Sequence, residues 1–234
     1  MPFELRPRRE VSLLFAGIGL LAAAIWADRQ DVEPVYSPYF GEYEGDEINP
    51  IDRLGYTVKN QQAADRADFG LYGGPTLPLL LSFDARIRQD YPLILLMWLQ
   101  TMLLTFALGS LIKNTANRPR PYIYNANWMA EWTLTRGDRA AFLSGHAANA
   151  TAGAVLFAAL LEAYDRPLAA YGRLLAVGVA GGTAYLRVRA AKHWPTDAVA
   201  GVLLGAGVAG AIVRWHRRSG SGQPKTMAAK PSGR

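Results

Sequence analysis

The chain contains no cysteine. That excludes a disulfide framework and a thiolate-ligated zinc site. It is also poor in charge: Asp, Glu, Lys and Arg make up 19% of its 234 residues, against about a quarter in a typical soluble domain. Histidine is scarcer still, with only His146, His193 and His216 in the whole chain. A basic pI near 9.6 does not point to nucleic acid, because the cations divide between widely separated stretches and form no single patch.

What the chain has in place of these is apolar residues. Half of it is hydrophobic, in runs of roughly twenty, the length a membrane-spanning helix needs. The pattern predicts an all-α, polytopic membrane bundle of about six transmembrane helices. Residues 1–27 carry Arg6, Arg8 and Arg9 ahead of an apolar run from Val11 to Ala27. Trp26 and the acidic stretch after it mark an interface, so the run reads as a retained spanning helix. A cleaved signal peptide ending near Ala22-Ala23-Ala24 is the alternative. Residues 28–67 are polar and acidic and read as an extracytoplasmic arm over the membrane surface, with one short helix around Gln61 to Asp68. Residues 68–215 form the membrane domain. Its first span, Phe69 to Phe83, is short and broken by Gly73, Gly74, Pro75 and Pro78. The others run over Pro92 to Ile112, Phe142 to Glu162, Leu168 to Leu186 and Pro195 to Trp215. Residues 216–234 are rich in Ser, Gly, Pro, Lys and Arg and read as a disordered basic tail. Gly178 and Gly182, and Gly201 and Gly205, are each four apart and allow close helix approach. Packing within the bundle is the expected use, and a homo-oligomer through these Gly-rich helices is the other.

Alternating six spans places the N-terminus, the 84–91 turn, the 163–167 turn and the tail on one side. Arg and Lys outnumber Asp and Glu there, as on a cytoplasmic face. The other side concentrates its cations in 113–139 and 187–192, the stretches nearest His146 and His193. That charge reads as functional, and the site then faces away from the cytoplasm.

Three stretches meet on that side. The first is Lys113-Asn-Thr-Ala-Asn-Arg-Pro-Arg120-Pro121. Pro119 and Pro121 end any helix, so the chain turns and brings Arg120 back toward Lys113. Together they offer a fork of donors and a point charge for phosphate. The second is Ser144-Gly145-His146 at the start of a span, where free N–H groups and the helix dipole favour an anion. The third is Arg187 to Asp197. His193 precedes a helix that Pro195 starts. Asp197 can reach back to one imidazole nitrogen and fix the tautomer, or serve as a carboxylate at the helix N-terminus.

In order and spacing, Lys113-x6-Arg120-Pro121, Ser144-Gly145-His146 and Arg187-x5-His193-x3-Asp197 resemble the three-part signature of the type 2 phosphatidic acid phosphatase (PAP2) superfamily. That group includes membrane lipid phosphatases and soluble vanadium haloperoxidases. Two positions depart: Leu143 stands where the family usually has Pro before Ser-Gly-His, and Leu186 where it usually has Ser before the Arg. The lost serine removes one phosphate hydrogen bond, worth about 1 kcal/mol.

The resemblance implies a bacterial-type integral membrane enzyme, in the inner membrane with its site facing the periplasm or exterior. It implies that His193 attacks phosphorus and that Asp197 orients it. Lys113, Arg120, Ser144, Gly145 and Arg187 would hold phosphate oxygens, and His146 would protonate the leaving oxygen and then activate water. No cofactor and no metal are implied. The implied partner is a lipid phosphate in the bilayer, with undecaprenyl pyrophosphate, phosphatidylglycerol phosphate, phosphatidic acid and a lipid A phosphate as candidates. A lipid phosphotransferase using the same phosphohistidine, or a membrane protein that only binds anionic lipid, are the rival readings. Among the remaining residues, Trp128, Trp132 and Trp194 read as interfacial anchors. Arg118, Arg136 and Arg139 read as surface cations or contacts to a second phosphate, and His216 as a residue of the cytoplasmic interface. Asp65 and Asp68 have no assigned role.

Overall fold

A computed structural model describes residues 1–30, 48–55, 60–124 and 135–218. They form seven α-helices: α1 (Pro7–Asp28), α2 (Pro50–Arg53), α3 (Gln61–Thr76), α4 (Tyr91–Ala116), α5 (Gly145–Ala163), α6 (Ala169–Arg189) and α7 (Pro195–His216). No strand occurs among the described residues, and the only bridge there joins Phe3 to Arg217. The fold is all-α, as the apolar runs predict. Expectations for Trp128, Trp132 and most of the basic tail lie outside the described residues.

The helix termini follow local chemistry. Proline opens α1, α2 and α7, where its missing N–H costs nothing. The side chains of Asn49, Asn60 and Ser144 cap α2, α3 and α5 by accepting from backbone N–H groups. Asn117 ends α4 in the left-handed conformation, with φ of 48°.

The expected short helix near Gln61 and the broken second span are one structure. Helix α3 runs through residue 68, where the membrane domain was expected to begin, and continues as a 3-10 segment, Leu77–Phe83. Gly74 survives inside it because α5 lies directly against that face: a Cβ on Gly74 would strike the Ala150 carbonyl, and one on Gly153 would strike the Gly74 carbonyl.

Helix α5 is the centre of the bundle, in contact with α3, α4, α6 and α7. Its Ala- and Gly-rich surface lets these neighbours come close. Gly201 and Gly205 of α7 rest on the α5 backbone, so their spacing serves packing within the bundle. Gly178 and Gly182 of α6 face nothing within 4 Å. Helix α1 lies outside, on α4. By length and composition, α1, the segment containing α4, and α7 are able to cross a membrane. Phe69, Phe83, Phe106, Leu174 and Leu203 point outward, as expected of a surface solvated by lipid. The protein is membrane-associated.

Two ends of the bundle differ. One collects the N-terminus, the 84–91 turn, the 163–167 turn and the end of α7: Glu4 N–H donates to the His216 carbonyl at 2.9 Å, Arg166 pairs with Asp84 at 2.7 Å, and Tyr164 donates to Asp90 at 2.6 Å. His216 is fully buried there, which corrects its reading as an interface residue. Both its ring nitrogens face acceptors, Ile212 O at 2.8 Å and Glu10 Oε2 at 2.8 Å. The other end collects the C-termini of α4 and α6, the N-termini of α5 and α7, and α2.

Candidate active site

Helix α6 delivers Arg187 and then turns sharply. Ala191 N–H donates to the Val188 carbonyl and Lys192 N–H to the Arg187 carbonyl, the two bonds of a Schellman cap. Its left-handed residue is Ala191, φ 54°, where glycine is usual. This strained turn throws His193 across the mouth of the bundle before Pro195 starts α7. His193 is 1% exposed.

The partner of His193 is not the expected one. Its Nδ1 lies 2.6 Å from the Ala141 carbonyl, so Nδ1–H donates there and Nε2 keeps its lone pair. Asp197 does not touch the ring. Its Oδ2 accepts from Trp194 N–H at 2.8 Å, the carboxylate half of a capping box, and its Oδ1 accepts from Arg118 at 2.5 Å. The reason is positional: three residues into the interval after Trp194, the carboxylate meets the orphan N–H of its own helix before it can reach the residue beyond. Of the two uses of Asp197 open in the sequence, the structure selects the helix terminus.

Lys113, Arg120 and Arg187 converge on His193. Burial, and then the cations of Arg187, Lys113 and Arg120, hold its imidazole well below the ordinary histidine range. The ring is therefore neutral at physiological pH. Arg187 is itself 6% exposed. The Nε atoms of Arg187 and Arg120 are buried with no hydrogen-bond partner. Among the described residues, no ion pair joins Lys113, Arg120 or Arg187 to a carboxylate, whereas Arg118 has two. Like charges held this close without a carboxylate are costly, most of all at the buried Arg187, and an anion placed among the three would relieve that cost.

The second stretch lies against the first. Lys113 Nζ lies 3.6 Å from where a Cβ on Gly145 would be. Ser144 is fully buried and its Oγ caps α5 by accepting from Ala147 N–H, which leaves its own hydrogen to donate. Ser144 N–H is bonded to the Asp197 carbonyl at 3.0 Å, so the starts of α5 and α7 are tied together. His146 Nε2 lies 2.9 Å from Asp68 Oδ1. All eight residues singled out in the sequence thus lie in one region. Leu143 and Leu186 are packing residues: Leu143 is buried, and Leu186 packs on Ala63, Ala64 and Ala190.

A cavity of about 390 Å³ leads away from this region between α3, α4 and α5. Lys113, Gly145 and His146 form its polar end, and Leu71, Tyr72, Pro75 and Phe106 its apolar flank.

The roles of four residues of the region escaped the sequence. Asp68 faces His146 from α3; its only signal is a carboxylate four residues after Ala64, on the helix face of small buried residues. The Ala141 carbonyl carries no side-chain signal at all. Asp52 and Arg118 belong to an ion network. Arg118 spans Asp52 and Asp197, each at 2.5 Å, and its guanidinium lies 5.8 Å from the Trp194 ring centroid, so it is no surface cation. Asp52 is fully buried, so this part of the arm is built into the bundle and does not lie over its surface. Trp194 is buried with its Nε1–H on the Pro119 carbonyl at 2.9 Å, and is a structural wedge, not an interfacial anchor. Arg136 ties the loop to α1 through Asp28 at 3.3 Å. Arg139 keeps one buried nitrogen unpartnered. Asp65 is bonded to Gln61 at 2.7 Å.

Comparison with curated proteins finds no match, and comparison with solved structures finds none. A family model does match, that of the PAP2 superfamily, which supports a phosphatase or related phosphoesterase activity in general; the matched residues, 94–221, hold the Lys113, Ser144 and Arg187 stretches but neither Asp52 nor Asp68. The match spans more than half of the chain, and with the three motifs meeting at one end of a helical bundle, the chain belongs to the PAP2 superfamily.

Proposed function

We propose that the protein is a membrane phosphatase that hydrolyses a lipid phosphate monoester or pyrophosphate through a phosphohistidine on His193. One observation carries this reading: Lys113, Arg120 and Arg187, none of them ion-paired to a carboxylate among the described residues, surround a buried imidazole whose Nδ1 is held by a backbone carbonyl. A site that only bound anionic lipid would need the cations and no such nucleophile.

In the proposed reaction the Nε2 lone pair of His193 forms a bond to phosphorus, and the bond from phosphorus to the ester or anhydride oxygen breaks. His146, held by Asp68, gives that oxygen a proton. Lys113, Arg120, Arg187, the Ser144 hydroxyl and the Gly145 N–H stabilise the negative charge on the remaining oxygens, where it builds up in the transition state. Water then attacks the phosphohistidine. His146 takes its proton, inorganic phosphate leaves, and His193 is regenerated. Fixed cations fill the electrostatic role that a metal takes in other phosphatases. Asp197 acts through the backbone it holds and not through the ring.

The cavity supports a lipid as substrate. Its polar end suits a phosphate and its apolar flank a hydrocarbon chain, matching a headgroup at the helix mouths and a tail in the bilayer. The charge asymmetry of the two ends supports a site on the non-cytoplasmic side. The test is phosphate release in detergent from undecaprenyl pyrophosphate, phosphatidylglycerol phosphate, phosphatidic acid and a lipid A phosphate, with and without EDTA. Release from at least one of them, unchanged by EDTA and inhibited by vanadate, is the expected result. No release from any, or activity that EDTA abolishes, would overturn the reading.

A further inference from the structure

Asp52 is fully buried and satisfied on both oxygens. It accepts from Thr196 N–H at 2.9 Å and Thr196 Oγ1–H at 2.8 Å, from Arg118 Nη2–H at 2.5 Å, and from Asn49 Nδ2–H at 2.5 Å. Burial alone would raise its pKa, but the bonds from Thr196, Arg118 and Asn49 outweigh it and hold the carboxyl below the usual range. The carboxylate stays charged. Gly55, just after α2, is pressed so closely on Pro195 that a Cβ there would overlap the proline ring.

Arg118, the residue Asp52 grips, touches the surroundings of His193 from two directions. Its side chain holds Asp197 Oδ1, and Asp197 holds the Trp194 N–H next to His193. Its backbone carbonyl accepts from Ala141 N–H at 3.0 Å, and the Ala141 carbonyl is the partner of His193 Nδ1. Arg118 therefore fixes both the peptide that carries the imidazole and the carbonyl that orients it. Without Asp52 its guanidinium would keep Asp197 and the Thr196 hydroxyl, the latter at 2.8 Å, but would lose the carboxylate on its other nitrogen, close to a cage that already holds three cations.

We propose that Asp52, in the arm outside the family-matched region, is a positioning residue for His193 that acts through Arg118. The inference rests on His193 being the nucleophile of the proposed reaction. A carboxylate that merely docked the arm would affect folding and nothing else. One that positions His193 changes the ring's hydrogen bond and turnover together.

The test uses the full chain in detergent. Asp52→Asn keeps an oxygen to accept from Thr196 N–H and loses the charge and the acceptor opposite Arg118; because it is isosteric, it carries the test if Asp52→Ala fails to fold. With the substrate that the wild type hydrolyses, the expected result is a fall in kcat of about tenfold to a hundredfold, the scale of a slightly misplaced reacting group, with KM within about twofold. In protein labelled with 15N-histidine, the Nδ1–H resonance of His193 is expected to shift or broaden. Arg118→Met combined with Asp52→Asn is expected to lose no more than Arg118→Met alone, as for residues acting in series. Wild-type kcat in Asp52→Asn with an unchanged His193 resonance would overturn the proposal, as would losses that multiply in the double variant. If the wild type releases phosphate from no substrate, the phosphatase reading fails, and the resonance alone then decides whether Asp52 positions His193.

Discussion

The bundle buries a histidine at each end, and the two are surrounded in opposite ways. At one end His216 meets Glu10 at 2.8 Å, and the same carboxylate receives Gln100 at 2.9 Å and Arg9 at 3.1 Å. Cation and anion are matched there, with α1, α4 and α7 joined through the cluster. At the other end His193 lies among Lys113, Arg120 and Arg187, none of them ion-paired to a carboxylate among the described residues. Composition does not separate these sites, since each has a histidine and several arginines. The balance of charge does. A charge-matched cluster holds helices together, whereas an unbalanced one costs stability and is retained for a ligand that is not part of the chain.

Arg187→Met tests this contrast most strongly. Removing one cation from the unbalanced end is expected to cost about a hundredfold to a thousandfold in kcat, the scale of losing one preorganised donor to a developing oxyanion. The thermal midpoint is expected to stay level or rise, because an apolar side chain replaces a buried, unpaired charge. A large drop in the midpoint would show that Arg187 is structural, and the comparison would break.

The opposite response is expected at the charge-matched end. Glu10→Gln removes the charge that faces His216 and Arg9, and should cost about 1–3 kcal/mol of stability, read as a lower midpoint in thermal melts. Turnover per folded molecule should stay near wild type, because the cluster lies at the far end of the helices. Loss of activity without loss of stability would contradict the structural role.

The smallest effect sharpens the electrostatic side. Histidine ordinarily titrates near about pH 6.5. His193 is held well below that by burial and by three cations, so its 15N shifts should show a neutral ring down through pH 6.5. In Arg187→Met one repelling cation is gone and the transition should move up toward the ordinary value. A wild-type His193 that protonates near 6.5 would mean the cage is not where the structure places it.

The sequence carried much of this, unevenly. Helices were legible because length and apolarity register directly in composition, three of them long and apolar enough to cross a membrane, and helix starts because Pro195, Ser144 and Asn60 act locally. The three motifs were legible because phosphate chemistry demands particular residue types at fixed intervals. What was hidden depends on contacts between distant segments. Asp52 looked like one acid among many in a polar arm, and only folding puts it against Thr196 and Arg118. Asp68 lay at the end of the arm, just before a span that read as broken, because Gly73, Gly74 and Pro75 look disruptive until α5 is packed against them. The orienting group of His193 is a backbone carbonyl, which every residue has and no pattern marks. His216 was misread because Arg214, Arg217 and Arg218 around it suggested a surface, while its own helix face turns inward to Glu10.

The central claim is that the unbalanced end is a nucleophile in a phosphate cage. The most direct measurement is a single-turnover reaction with substrate labelled at the phosphoryl group, using His146→Ala to slow breakdown of the intermediate. The account predicts label on the protein, stable to alkali and labile to acid, located on His193 and absent from His193→Ala. Label on another residue, or phosphate release by His193→Ala at the wild-type rate, would contradict it.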